Sequence, residues 1–120
     1  MTHDDVTRWL DAYTAAWTTY DPEAIGALFT DDAEYRYHPW DDPVRGRDAI
    51  VADWLESPDA PGTYKASYGA WAVDGNRAVA TGTSRYDDGT THRIYHNVFL
   101  LEFDGAGRCS SFTEVFLQEP

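Results

Sequence analysis

The stretch Met1–Tyr35, "MTHDDVTRWLDAYTAAWTTYDPEAIGALFTDDAEY", holds two helix starts in succession, and its reading decides the fold. Val6, Trp9, Leu10, Tyr13, Trp17 and Tyr20 recur at steps of three and four residues, the period of an amphipathic helix. Thr2 with Asp5 offers it a capping box. Asp21 reads as a second N-cap with Pro22 at the first helical position, which predicts a short helix that buries Ile25, Leu28 and Phe29 and ends near Thr30. A short strand over Ala33–Tyr37 follows.

Beyond that stretch, Pro39, Pro43 and Gly46 mark a loop that leads into a third helix, "RDAIVADWLE", with Ile50, Val51, Trp54 and Leu55 as its buried stripe. Turns at Asp74–Asn76, Asp87–Gly89 and Asp104–Gly107 then separate four runs rich in β-branched and aromatic residues, about 64–73, 77–86, 90–103 and 108–117. Helices first and an antiparallel meander afterwards predict one α+β domain over residues 1–120, its helices on one face of the sheet. No repeat, linker or low-complexity segment interrupts it.

At 42% hydrophobic and 15% aromatic, the 120 residues suffice for a core with rings left over to line a cavity. A formal net charge of −12 repels phosphate backbones and anionic membrane surfaces, so neither nucleic acid nor membrane is an expected partner. Fifteen of the 21 acidic residues are Asp and Lys65 is the only lysine, a bias that salt adaptation and base composition both produce. Cys109 stands alone, which excludes an intramolecular disulfide. No apolar run approaches the ~18 residues of a membrane span, and "MTHDDVTRWL" lacks a basic region followed by an apolar one, so a cytoplasmic protein is expected.

The motifs "AYTAAWTTYDPEAIGALFTDDAEY", then "HPW" with "PVRGRDAI", then "VFLLEFDGAGR", resemble the NTF2-like superfamily, especially its SnoaL-like and ketosteroid-isomerase-like members. The resemblance spans nearly the whole chain. It implies a cone in which a strongly curved, mostly antiparallel sheet wraps three N-terminal helices and encloses a pocket. The superfamily hosts isomerases, cyclases, dehydratases, epoxide hydrolases and non-catalytic binding modules, so the residues must decide the function. Tyr13 falls where the isomerases have an oxyanion-hole tyrosine. Their general-base aspartate falls at Tyr37, with His38 beside it, and their protonated aspartic acid falls at Phe99. With two of three groups missing, ketosteroid isomerisation itself is excluded.

The cyclase-like members resemble the chain at "FTEVFLQ", which places their acid/base carboxylate at Glu114. Strand alternation sets Phe112, Glu114 and Phe116 on one face and Arg93, Tyr95, Asn97, Phe99 and Leu101 on one face of the preceding run. Glu114 then has Asn97, Tyr95 and Arg93 as possible partners. Desolvation would raise its pKa into a range useful for proton transfer; the plainer alternatives are an ion pair with Arg93 or an exposed side chain. His38 is a second base candidate, or a residue that only fastens the loop. Tyr13 is a candidate donor to an oxyanion, or a helix-face tyrosine bonded to a carbonyl. Tyr35 and Tyr37 would point into the cone while His38 and Trp40 fold over its mouth, and Trp17, Trp54, Tyr95, Asn97, Phe99, Phe112 and Phe116 would complete a substrate-binding wall. His92 and His96 lie on a strand, where four residues span ~13 Å, so no metal site is read there.

Two readings compete. One is an enzyme without cofactor that uses Glu114, His38 and Tyr13 in acid/base chemistry on a small apolar carbonyl- or epoxide-like molecule. The other is a ligand-binding or dimerisation module. In both, the outward phase His92, Ile94, His96, Val98 and Leu100 is apolar at its far end, which predicts a homodimer through the outer sheet face.

Overall fold

The capping box at the N-terminus forms as spaced: Asp5 N donates to Thr2 Oγ1 at 3.1 Å and Thr2 N donates to the Asp5 carboxylate at 2.8 Å. In the computed structural model, which describes residues Met1–Pro120, it opens α1 (His3–Thr19). Val6, Trp9, Leu10, Tyr13 and Ala16 form the buried stripe of α1. The helix ends at Tyr20 in the left-handed region (φ 51°), the only non-glycine residue with positive φ.

Asp21 caps α2 (Pro22–Gly26) through Glu23 N at 3.1 Å. This helix stops at Gly26 rather than near Thr30, because the chain beyond it is already claimed by other elements. The Leu28 carbonyl accepts from Cys109 N at 2.8 Å and from the Trp9 indole at 3.0 Å. Leu28 and Phe29 are buried outside the helix, and β1 (Phe29–Arg36) begins four residues before the predicted start at Ala33. The predicted loop also contains a two-residue strand, β2 (Val44–Arg45), paired with Glu34 and Tyr35. Then come α3 (Arg47–Glu56), β3 (Tyr64–Asp74), β4 (Arg77–Asp87), β5 (His92–Phe103) and β6 (Cys109–Gln118), each close to the segment read from the sequence, although in α3 only Ile50 and Trp54 are buried and Leu55 turns to the exposed side.

One curved six-stranded sheet results, in the order β2-β1-β6-β5-β4-β3. β3 to β6 form an antiparallel meander, and β6 returns beside β1 in parallel. The α1 stripe packs on the inner face of this sheet, with Tyr13 at the centre of an aromatic cluster. Its ring stacks on Trp9 and Phe112 (centroids 5.6 Å for both) and meets Trp54, Tyr68 and Phe99 edge-on at 5.3, 6.0 and 5.5 Å. Tyr35 and Phe112 stack at 4.3 Å. Truncating one such fully buried ring to alanine typically costs about 3–5 kcal/mol. No helix is long and apolar enough to cross a membrane.

Candidate active site

A cavity of about 540 Å³ lies between α1, the end of α3 and the inner faces of β1 and β3–β6. Its polar wall is a chain of hydrogen bonds across three adjacent strands. Ser84 Oγ on β4 donates to Asn97 Oδ1 on β5 at 2.9 Å, and Asn97 Nδ2 donates to Glu114 Oε1 on β6 at 2.8 Å. Ser84 and Asn97 are buried polar residues, so each bond satisfies a group that would otherwise be costly. Across the strands, Gly82 lies between Tyr68 and Asn97, and it leaves the room that Tyr68 fills. A Cβ at Gly82 would stand 2.0 Å from the Ser67 carbonyl and 2.6 Å from Tyr68 Cδ1.

Burial raises the Glu114 pKa above its ordinary 4.5, opposed by the Asn97 amide and by charge at His38. The predicted partner Arg93 is elsewhere: its guanidinium donates to the Tyr95 hydroxyl at 3.2 Å and makes no ion pair with Glu114. Burial also holds the phenols of Tyr13 and Tyr35 well above 10 and pushes those of Tyr37 and Tyr68 upward as well. Tyr86 follows the same rule, with burial the first cause and the carboxylates of Asp59 and Glu114 adding to it. These hydroxyls therefore stay protonated and remain hydrogen-bond donors across the ordinary pH range.

The mouth of the cavity is tied by a second network. Trp17 Nε1 donates to Tyr20 Oη at 3.0 Å and to Asp59 Oδ2 at 3.1 Å, and Asp59 N donates to the Tyr20 hydroxyl at 2.9 Å. These bonds hold Tyr20 in its left-handed conformation, which costs roughly 1–2 kcal/mol in an L-residue. On the opposite wall the Tyr37 hydroxyl donates to Asp53 of α3. The Trp54 indole N–H is buried with no protein acceptor.

Of the residues singled out from the sequence, Tyr13, Trp17, Tyr35, Tyr37, Trp54, Tyr95, Asn97, Glu114 and Phe116 face the cavity. Four do not. Phe99 and Phe112 are 1% and 0% exposed and belong to the core beneath the cavity floor, because their depth along the strands puts them under the α1 stripe. Trp40 is 80% exposed and lies outside, stacked on His38 at 4.9 Å. His38 sits behind the rim, its ring 5.4 Å from Phe116 and its Nδ1 2.9 Å from Asp41 Oδ2. The loop is fastened there by Arg36, whose Nε donates to the Asp41 carbonyl at 3.2 Å.

The wall also contains Tyr20, Asp53, Asp59, Tyr68, Ser84 and Tyr86, none of which the sequence pattern assigned to it. Tyr68, Ser84 and Tyr86 share the inner face of paired strands with Asn97 and Tyr95, so the alternation used for β5 and β6 extends to them. Asp59 lies in a loop, where no periodicity marks it. His92 and His96 point away on the outer face, beside Asp87 at 3.4 Å and Glu119 at 2.7 Å. No cluster of three or more metal-ligating side chains forms.

No curated protein matches the sequence. Among solved structures, an NTF-2 like protein of unknown function from Burkholderia xenovorans LB400 is similar over 98% of this chain and 88% of its own, with TM-score 0.71 and 20% identity. RV0760c from Mycobacterium tuberculosis is similar over 99% of both chains, with TM-score 0.76 and 11% identity. At such identities the likeness concerns the fold, which is the NTF2-like α+β fold. The model of the SnoaL-like domain matches residues 8–112, from the early turns of α1 to the inner face of β6. The chain therefore belongs to the SnoaL-like domain family.

Proposed function

We propose that the chain is an enzyme that moves a proton on a small, mostly apolar carbonyl compound held in the cavity, with Glu114 as the acid/base group. The observation that supports this reading is the Glu114 carboxyl itself. Its pKa is raised by burial, it is bonded at Oε1 by Asn97, it makes no ion pair, and it faces a space of ligand size. The Asn97 bond fixes one oxygen and leaves the other to work on the substrate. As a carboxylate, Glu114 takes the proton from the carbon beside the carbonyl, and the electron pair moves onto the carbonyl oxygen. Neutral phenols of the wall, Tyr13 and Tyr68 first among them, donate to that oxygen, and the protonated Glu114 then returns its proton to carbon. An epoxide-like substrate would use the same carboxyl as the acid that protonates the oxygen as its C–O bond opens, while water adds to the carbon and returns a proton to the carboxylate.

Trp17, Tyr35, Trp54, Tyr95 and Phe116 supply the apolar wall in this scheme. Tyr37, committed to Asp53, braces α3 against β1. His38 acts on Glu114 through charge from behind Phe116, since its protonated form favours the carboxylate. The outer sheet face, where Leu100, Val115 and Leu117 are exposed, pairs with a second copy in the same proposal.

The test is deuterium exchange. Mono- and bicyclic ketones in heavy water should gain deuterium beside the carbonyl with the parent protein, and Glu114→Gln should slow the exchange by about 10²–10⁴-fold. If both proteins bind the ketones alike and neither accelerates exchange, the cavity is a binding pocket and the catalytic reading fails.

A further inference from the structure

We propose that Arg93 is the recognition site for a carboxylate on the substrate, so that the cavity takes an elongated keto acid rather than a neutral ketone. This inference rests on the reading of the cavity as a substrate site and names the class of molecule that fills it. Arg93 is the only Lys or Arg in the cavity wall. The chain has 9 Lys and Arg against 21 Asp and Glu, and Arg8, Arg36, Arg45, Arg47 and Arg77 each have a carboxylate within ion-pair distance. Arg93 has none at that distance, although carboxylates outnumber cations throughout and Asp88 feels its charge from farther off. Lys65, Arg85 and Arg108 also lack one, but they lie outside this cavity.

Its surroundings prepare the guanidinium for a planar anion. It lies over the Tyr86 ring at 5.3 Å and beside the Tyr95 ring at 5.9 Å, and its single side-chain hydrogen bond goes to the Tyr95 hydroxyl at 3.2 Å. Two rings lie within cation–π distance of the fork, and the N–H donors not used by Tyr95 are open to a carboxylate, which matches them two at a time. The wall carboxylates are differently placed. Asp53 accepts from Tyr37, Asp59 from Trp17, and Glu114 from Asn97, so each already has a neutral donor from the protein. Glu56 and Arg93 are both exposed, so the guanidinium stands at the edge of the cavity. The net charge of −12 opposes an anion at long range, but screening beyond the ~8 Å Debye length at physiological ionic strength leaves the local contact to decide.

The spacing of the two ends sets the length of the ligand. Arg93, Tyr95 and Asn97 lie on one face of β5, and the four residues from Arg93 to Asn97 span ~13 Å of strand. Asn97 marks the level of the Glu114 carboxyl, to which it is bonded. A molecule with its reactive carbonyl at Glu114 and its carboxylate at Arg93 therefore needs a body of about two fused rings, with the two side chains covering the rest.

Three probes of equal size test this: 6-hydroxy-2-naphthoic acid, its neutral amide 6-hydroxy-2-naphthamide, and the cationic 6-(aminomethyl)-2-naphthol, titrated by calorimetry at neutral pH. The acid should bind roughly tenfold more tightly than the amide, as a charge-assisted bidentate contact allows. That advantage should shrink in about 1 M sodium chloride and vanish in Arg93→Gln, with amide affinity kept within about twofold of the parent. An acid that binds no better than the amide, an equal loss of both in Arg93→Gln, or tightest binding by the ammonium compound overturns the proposal and leaves the Glu114 reading standing. Failure of all three probes to bind overturns both.

Discussion

Glu114 stands where a charge is expensive and a proton is useful, and it was legible in the sequence through the resemblance of "FTEVFLQ" to the cyclase-like members. Strand alternation sets it on the same face as Phe112 and Phe116, and of the three partners read for it, Asn97, Tyr95 and Arg93, Asn97 makes the bond. What alternation does not encode is depth. Phe99 and Phe112 share the phase of Tyr95 and Phe116, yet α1 covers the first two and not the others, because the position of a helix over a strand is a tertiary fact. Loop residues carry still less information, which is why the sequence reading put Trp40 over the mouth when it lies outside the cavity. The buried carboxyl gives a prediction with a definite sign. Folding raises its pKa, so between 4.5 and the raised folded value the folded chain holds a proton that the unfolded chain has released. Stability from this group is whole below the unfolded value and is lost as the pH climbs through the folded value. Glu114→Gln removes that loss. The variant should therefore melt above the parent at neutral and higher pH, with the gap closing as the pH falls toward 4.5. A difference in Tm that is constant with pH would contradict the account.

The elements that sequence placed well are those with their own boundary chemistry. α1 has a complete capping box, and the meander strands are punctuated by turns, so their ends needed no tertiary information. α2 and β2 were obscure for the opposite reason. The end of α2 is set by the Leu28 carbonyl, which serves Trp9 and Cys109 from distant elements, and β2 is two residues long and exists only by pairing with β1. Cavity shape belongs to this scale too. Gly82 on β4 leaves the room that Tyr68 fills, and the atom a Cβ would strike first is backbone, which no rotamer change relieves. Gly82→Ala should destabilise the domain by about 1–3 kcal/mol and reduce ligand affinity by displacing Tyr68. Urea unfolding and probe titration on the same sample would measure both effects. An alanine variant with parental stability and affinity would show that Gly82 has no part in shaping the cavity.

For the whole molecule, the order of helices and strands made the fold legible, whereas the cavity required strands from both halves of the sheet to be brought round α1. The outer face of the same sheet supports the proposed dimer. Leu100, Val115 and Leu117 are 46%, 37% and 76% exposed there, while His92 and His96 are each beside an acid of their own chain. Screening a charge of −12 on each copy should strengthen the pairing at higher salt. Sedimentation equilibrium should find a dimer at micromolar concentration, and Val98→Asp combined with Leu100→Asp should make it monomeric. A parent that is monomeric in both low and high salt would contradict the dimer. The chemistry proposed for the cavity depends on one group, and its titration tests that chemistry most directly. In the folded protein with ¹³C-labelled glutamate, the Glu114 carboxyl resonance should titrate with a midpoint above 4.5, apart from the exposed glutamates. A midpoint at or below 4.5 would contradict the assignment of Glu114 as the acid/base group.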